Sequence, residues 1–337
     1  MRRMRQRRAC GIRDLPDRVE ASSGVATWRV VLTRKTVRSW LFPSATMERI
    51  HESVAAAAGG GPRMADDKAL RDLANASGYL FQLAVEHAIR SHPTDVGWSV
   101  LAREHPWTDA GTGESGYADL ILGSSTFPVV RIVIECKRVR DGTWLFLGEG
   151  HEQRTRRMCC RWVCRKQESR ETAGWDDLAI SPESPQAAFC AVRGSGERDS
   201  PFLERIARRL LAATESIAGV ELALLRARSD AQFLVFLPVI VTTAQLATCT
   251  VSSEHISLAR GSIPEGNAVY SDVTRIRFRK SLSAELPALE GVKSLPQVNR
   301  ALERTVLVLG AEGLMDFLDG FRVATAEKYG PWPWDRT

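Results

Sequence analysis

One stretch of this sequence, residues 116–147, constrains the fold more than any other. Residues 129–134 form a mostly apolar run, VVRIVI, which is typical of a buried strand and which ends abruptly in Glu135 and Lys137. Because side chains alternate across a strand, these two charged groups lie on the same face, roughly 6.6–6.8 Å apart along it. Charged groups at the end of a buried strand are costly unless they are paired or bind a counter-ion.

The same stretch predicts a hairpin that brings a second carboxylate to these residues. A turn signal, GSSTFP, separates the apolar run from an earlier strand that carries Asp119. Folding back over this turn places Asp119 opposite residues near 132–136. The carboxylates of Asp119 and Glu135 can therefore converge, and a divalent metal bound by both would account for the buried charge.

The residues alone leave the role of the acids open. One interpretation is a Mg²⁺ or Mn²⁺ site, because hard oxygen ligands select these ions. The other is an ordinary salt bridge at the strand end, with Glu135 paired to Lys137 or Arg138. Glu86 lies on the flank of an upstream apolar helical stripe and is equally a ligand or a solvated glutamate. Glu104 carries a weaker signal still.

The net charge does not by itself indicate a nucleic-acid-binding protein. The formal charge is +6, but residues 1–13 hold six arginines and no acid, so the rest of the chain carries no net charge. Binding of a polyanion by the rest of the chain therefore requires a local basic patch. Residues 154–166 form one candidate patch and residues 275–280 a second. For each patch the alternative is an ordinary solvated face, which for residues 154–166 would be the face of a helix. The predicted nucleic-acid contacts are Arg138, Arg140, Arg154, Arg156, Arg157 and Arg161, with Trp162 stacking on a base.

Composition divides the chain into an arm, one domain and a tail. Residues 1–63 start with arginines and end in AAAAGGGP, which predicts a mostly disordered arm. Residues 64–325 are expected to form the folded domain and residues 326–337 a tail. The longest apolar run, residues 233–241, is shorter than the roughly 20 residues of a membrane helix. With no signal peptide visible and an odd number of cysteines, seven, a reduced cytoplasmic compartment is expected.

Hydrophobic periodicity predicts alternating helices and strands after the arm, and therefore the α/β class. Pairs of strands joined by a turn and followed by a helical crossover imply a mixed β-sheet flanked by helices. Residues 181–186 are expected to be a loop. Helices are predicted over residues 66–90 (broken at Gly78), 202–225 and 311–321, and strands over 97–103, the hairpin, 187–192, 233–242, 244–251, 273–279 and 305–309.

A known family shows the same combination of motifs. Asp119, followed sixteen residues later by the ECK sequence at 135–137, with Glu86 on an upstream helix, resembles the PD-(D/E)xK phosphodiesterase superfamily. The resemblance covers roughly residues 66–245, and Ala118 stands where many members have proline. It implies a restriction endonuclease-like mixed-sheet core flanked by helices, here with extra C-terminal strands.

The resemblance also implies chemistry for each matching residue. Asp119 and Glu135 would bind Mg²⁺ or Mn²⁺, with the backbone carbonyl of Cys136 as a further ligand. Lys137 would orient or activate the attacking water, and Glu86 would support this metal or bind a second one. The expected function is a metal-dependent nuclease that hydrolyses phosphodiester bonds in DNA, with RNA as another substrate to consider.

Two further expectations remain open at this stage. The alternative function is a catalytically inactive member of the same fold that binds nucleic acid or a partner protein. The sequence also leaves open whether the chain forms a homo-oligomer. No membrane partner is expected.

Overall fold

The computed structural model describes residues 66–92, 96–140, 142–149, 156–167, 170–192, 202–226, 232–282 and 293–324. The chain divides into two units, Met1–Met64 and Ala65–Thr337, and all described residues belong to the second. The predictions for the arm, residues 1–63, and for the tail, residues 326–337, lie outside the described residues.

The helices follow the predicted periodicity closely. The expected break at Gly78 separates the first two, and the predicted long helix begins at Phe202. The helices are α1 (Asp67–Ala76), α2 (Tyr79–Ser91), α3 (Phe202–Arg226), α4 (Leu295–Leu302) and α5 (Leu314–Gly320). Only α4 was not predicted. None of the described helices is long and apolar enough to cross a membrane.

The strands are more numerous than the sequence indicated. They are β1 (Ser99–Thr108), β2 (Ser115–Gly123), β3 (Val129–Lys137), β4 (Thr143–Glu149), β5 (Arg156–Gln167), β6 (Arg170–Ser184), β7 (Gln186–Ala187), β8 (Phe189–Val192), β9 (Gln232–Thr242), β10 (Gln245–Val251), β11 (Ala268–Asp272), β12 (Arg275–Ser281), β13 (Glu303–Gly310) and β14 (Arg322–Ala324). The predicted α/β class, with a mixed sheet flanked by helices, is confirmed.

The larger sheet is built around β9. The strand order is β1-β2-β3-β9-β13-β12-β7, with β3 parallel to β9 along its whole length and β1 antiparallel to β2 at the edge. On its other side β9 pairs with β5 over its first half and with β13 over its second half. The nearly continuous apolar sequence of β9 suits a strand that is covered on both faces.

Two hydrophobic clusters cover the two faces of this sheet. One holds Val133 and Phe236 together with the buried side of α3. The other holds Ile132 and Ile134 together with the buried side of α2. Since neighbouring residues of β3 belong to opposite clusters, the faces can be assigned to every residue of this strand.

A second sheet has four strands in the order β11-β10-β4-β8. Its strand β4 follows directly on the hairpin and pairs in parallel with β10, from Thr143↔Gln245 to Glu149↔Val251. Trp144 and Phe146 of β4 are fully buried in the cluster that also contains α3. Residues 143–149, for which the sequence predicted no separate element, therefore form a core strand.

One local prediction is wrong, and so is one of the two interpretations left open for the basic run. Residues 181–186 were expected to be a loop, but Ser181 pairs with Arg322 of β14 and the chain continues as strand almost without interruption. The basic run at 154–166 was compared with a solvated helix face, but residues 156–167 form β5. In both cases the partners are distant in sequence, so a local pattern carries no trace of the pairing.

Gly313, just before α5, is expected to tolerate no side chain. A Cβ there would lie 2.7 Å from the Cβ of Thr274 and 3.0 Å from its carbonyl oxygen. Gly313→Ala should lower the free energy of unfolding by about 1–3 kcal/mol, measured by urea denaturation. The matched control is Gly78→Ala, also at a helix N-cap, where an added Cβ would meet nothing within 4 Å. Equal stability of the two variants would contradict the close approach at Gly313.

Candidate metal and catalytic site

The hairpin formed by β2 and β3 brings Asp119 to Glu135, as the sequence predicted. The register runs from Gly123↔Arg131 to Leu120↔Ile134 and ends there. The next facing positions are therefore Asp119 and Glu135, at the point where the ladder ends.

Asp119 is held from two sides at this point. The backbone N–H of Cys136 donates a hydrogen bond of 2.6 Å to the Asp119 carboxylate, so a side chain bridges the two strands where the ladder ends. From α2, the Gln82 amide donates a hydrogen bond of 3.1 Å to the backbone carbonyl of Asp119. Gln82 is buried, and sequence reasoning missed it because its contact is with the backbone of a strand 37 residues away.

Glu135 and Lys137 lie on the same face of β3, as predicted. Their side chains form an ion pair of 2.5 Å, and both are partly exposed. Arg131, on the same face two positions before Val133, pairs at 2.9 Å with Glu221 of α3. The acid pair and the lysine therefore lie on the face of the sheet that α3 covers.

The Asp119 carboxyl has an unusual affinity for its proton. Burial and the neighbouring charge of Glu135 raise the pKa of Asp119 from 3.8 to about 7, and the charge of Glu104 adds to this. The hydrogen bond from Cys136 and the charge of Lys137 act in the opposite direction but do not compensate. The two carboxylates thus repel each other at neutral pH, which a bound cation would relieve.

Glu104 is the site residue whose importance the sequence did not indicate. Pairing of Arg103 with Leu120 and of His105 with Ala118 places Glu104 opposite Asp119 on the edge strand β1. Its φ is +46°, the left-handed region that is uncommon for residues other than glycine. The predicted strand ended at residue 103, but β1 continues to Thr108 and includes Pro106, which an edge strand tolerates.

The structure does not bring Glu86 to the acid pair. Glu86 is buried on α2 and forms ion pairs with Arg90 at 2.8 Å and with Arg103 at 3.5 Å. Helix α2 packs against the face of the sheet that carries Ile134, whereas Glu135 belongs to the opposite face. Two arginines thus compensate the Glu86 charge.

The predicted nucleic-acid contacts are only partly described. The Arg138 guanidinium donates a hydrogen bond to the carbonyl of Asn75 at the end of α1, and Arg140 is exposed. Arg154 lies outside the described residues. Arg156, Arg157, Arg161 and Trp162 lie on β5, for which the structure describes the backbone alone.

The second basic candidate, residues 275–280, is not a free patch. Arg279 forms ion pairs of 2.8 Å with both Asp177 and Glu303, and Lys280 forms one of 2.9 Å with Glu204. Arg277 is fully buried. These side chains stabilise the packing of β12 and are not available to a polyanion.

The donor set suits a hydrated divalent ion. Among the described residues, no group of three or more His, Cys, Asp or Glu side chains could hold a metal. Mg²⁺, however, is usually bound through one or two carboxylates and keeps several waters, which Asp119 and Glu135 can provide. Burial, with the charges of Asp119 and Glu135, raises the pKa of the Cys136 thiol above its ordinary range, so a thiolate ligand is disfavoured. The residues fit Mg²⁺ or Mn²⁺ and not a structural zinc ion.

The strain at Glu104 can be measured with two variants. Glu104→Gly removes the whole side chain, whereas Glu104→Ala removes everything beyond the Cβ, including the carboxylate. A Cβ crowds the backbone at a φ of +46°, and glycine has none. The glycine variant should therefore be more stable than the alanine variant by about 1 kcal/mol. Urea denaturation of the two variants at one pH measures this difference; an alanine variant that is equally stable would show that the backbone is not strained.

Comparison with protein-family models, with curated proteins and with solved structures finds no match to this chain. The site is therefore judged on its own geometry and charge.

Proposed function

We propose that this chain is a metal-dependent nuclease that hydrolyses phosphodiester bonds, with DNA as its substrate. The observation that carries the proposal is the combination at the end of the β2–β3 hairpin. Asp119, with a pKa raised to about 7, faces Glu135, and Lys137 lies 2.5 Å from that second acid. A fold gains nothing from repelling acids at a half-buried strand end, whereas a cation-binding site requires them.

The order of elements supports a restriction endonuclease-like core as part of this proposal. Helix α2 precedes the antiparallel strands β1, β2 and β3, and α3 then crosses over to β9, which is parallel to β3. This is the arrangement expected from the family resemblance. Strands β10 to β14 would be the additional C-terminal part.

Each residue of the site has a proposed role. Asp119 and Glu135 bind Mg²⁺ or Mn²⁺, which when bound would neutralise the charge that develops on the phosphate. Lys137 donates a hydrogen bond to the attacking water or to a phosphate oxygen, and its compact charge stabilises the transition state. Gln82 and the Cys136 N–H position Asp119. Glu104 adds negative charge next to Asp119.

A nuclease assay tests this proposal. The wild-type chain should cleave plasmid DNA with Mg²⁺ or Mn²⁺ and lose this activity in EDTA, with single-stranded DNA and RNA as the other substrates. Lys137→Ala should lower the cleavage rate by about 10²–10³-fold or more, as expected for loss of a charged group that stabilises a transition state. Lys293→Ala, an exposed lysine on a different part of the surface, is the matched control. Equal rates for the two variants would remove Lys137 from the mechanism.

One observation favours the alternative of an inactive binding protein. The ion pair with Glu135 already occupies the Lys137 ammonium, as in an ordinary structural salt bridge. In that case the wild-type chain would bind nucleic acid with or without a divalent ion and would cleave none of the three substrates.

A further inference from the structure

Helix α3 presents a row of arginines to solvent in its first turns. Arg205, Arg208 and Arg209 are all exposed, and their spacing places them on one face of the helix. The residues between them, Ile206 and Ala207, are buried in the core. This face is separate from the basic segments at 154–166 and 275–280.

The arginines of this row are only weakly paired. Arg209 forms an ion pair of 3.2 Å with Glu114, and both side chains are about half exposed, so the pair adds little stability. Arg205 lies 5.8 Å from the ring centre of Phe202. Arg208 has no ion pair within the part of the chain that the structure describes.

The row is also unfavourable for the helix itself. Arg205 lies in the first turn, where a positive charge opposes the helix dipole, and like charges three or four residues apart repel each other. The acid in this part of α3, Glu204, is buried and bound to Lys280, so it does not compensate them. Three clustered cations that repel one another indicate a surface that binds an anion.

The row lies close to the candidate site. Helix α3 covers the face of the sheet that carries Glu135 and Lys137. The Arg209 guanidinium lies over Gly116 of β2, since a Cβ added there would meet its Nη2 at 3.0 Å. Gly116 is three residues from Asp119, about 10 Å along an extended strand. The Arg209 guanidinium is thus on the side of the sheet that α3 covers, near the end of the hairpin where the two carboxylates lie.

We propose that Arg205, Arg208 and Arg209 bind the phosphodiester backbone of the nucleic-acid strand that enters the site; this inference rests on the proposed function. Guanidinium groups bind phosphate oxygens through paired hydrogen bonds and remain charged at every relevant pH. Arg209 exchanges its exposed contact with Glu114 for a phosphate. The phosphates next to the cleaved bond are then held on α3, which covers the face of the sheet that carries Glu135 and Lys137.

The test is the salt dependence of binding by the full chain in EDTA, where no cleavage occurs. The probes are a 30-base-pair DNA duplex, one of its strands and an RNA duplex of the same sequence. Fluorescence anisotropy measures the binding of each probe. Arg205→Gln/Arg208→Gln/Arg209→Gln should bind about 10- to 100-fold more weakly at 50 mM salt. Its slope of log affinity against log salt should fall by about 0.9 for each lost contact on duplex DNA, or about 0.7 on a single strand. The probe whose affinity falls most in the triple variant shows whether the arginines bind duplex DNA, single-stranded DNA or duplex RNA.

The control has the same change in charge at a different place. Arg260→Gln/Lys293→Gln/Arg300→Gln removes three exposed cations that lie outside α3, and it should bind like the wild type. Glutamine keeps a helix propensity close to that of arginine, so α3 should remain folded. If the triple variant of α3 nevertheless unfolds, Arg208→Gln alone should lower the slope by about one contact.

The outcomes separate this inference from the proposed function. A triple variant that binds like the control overturns the assignment of the arginines, whatever the wild type cleaves. Wild type that binds through these arginines but cleaves nothing with Mg²⁺ or Mn²⁺ supports the binding surface and overturns the nuclease proposal. Wild type that binds none of the probes in EDTA overturns the assignment of the arginines, and the cleavage assay with Mg²⁺ or Mn²⁺ then decides the nuclease proposal by itself.

Discussion

Asp119→Asn is expected to abolish metal-dependent cleavage and, at pH 8, to make the protein more stable. Burial and Glu135 raise the pKa of Asp119 from 3.8 to about 7, so the folded state binds this proton more tightly than the unfolded state does. The stability from the bound proton is complete below pH 3.8, falls as the pH rises and is lost above about pH 7. Asparagine cannot ionise, so it avoids this loss. The expected gain at pH 8 is on the order of 2–4 kcal/mol, with roughly 40% of that gain at pH 5.

Urea denaturation of the two proteins in EDTA, at pH 5 and at pH 8, measures this effect. Asp72→Asn, an exposed aspartate on α1, is the control and should change stability equally at both pH values. Cleavage by Asp119→Asn should fall about 10²–10³-fold or more, because one of two metal ligands loses its charge. The same small stability difference at both pH values would show that burial and Glu135 do not raise the pKa of Asp119.

The second large effect is a steep pH dependence of metal affinity. A metal must displace the proton from Asp119, whose pKa is raised to about 7 by burial and by Glu135. The affinity for Mn²⁺ should therefore rise about tenfold per pH unit well below pH 7 and level off above it, a change of about 50-fold between pH 5 and pH 7. Titration calorimetry in buffers of different ionisation enthalpy measures the affinity and the number of protons released.

Two variants test whether the proton that the metal displaces belongs to Asp119. Asp119→Asn should bind Mn²⁺ weakly and without the slope, whereas Lys293→Ala, the surface control, should keep both the affinity and the slope. An affinity that does not change between pH 5 and pH 7 in the wild type would place the metal on other residues. A slope that persists in Asp119→Asn would assign the proton to a different group.

The main features of the candidate site could be predicted because they are local. Asp119, Glu135 and Lys137 belong to one hairpin, and the turn and the apolar run together determine which residues face each other. Gln82 and Glu104 could not be found in this way. Gln82 reaches the site from a helix, and Glu104 comes from an edge strand that continues past the point where its pattern ends.

Charges were the least predictable part. Glu86 was expected at the site, but Arg90 and Arg103 pair with it on the other face of the sheet. Arg279 and Lys280 were candidates for binding a polyanion, but acids from β6, β13 and α3 pair with them. The arginines of α3 were part of a predicted helix and drew no attention. Whether a charged side chain is free or paired depends on its neighbours in space. The order of residues in the sequence does not show which residues those neighbours are.

The sequence by itself determined the α/β class, the main helices and the hairpin with its acid pair and lysine, since each depends on periodicity or on a short turn. Only the tertiary structure decided that β9 is shared by β3, β5 and β13, that residues 156–184 are almost entirely strand, and which face of the sheet each charge occupies. Those features depend on pairing between segments far apart in the chain. Backbone hydrogen bonds, which form such pairs, are the same for every residue type except proline.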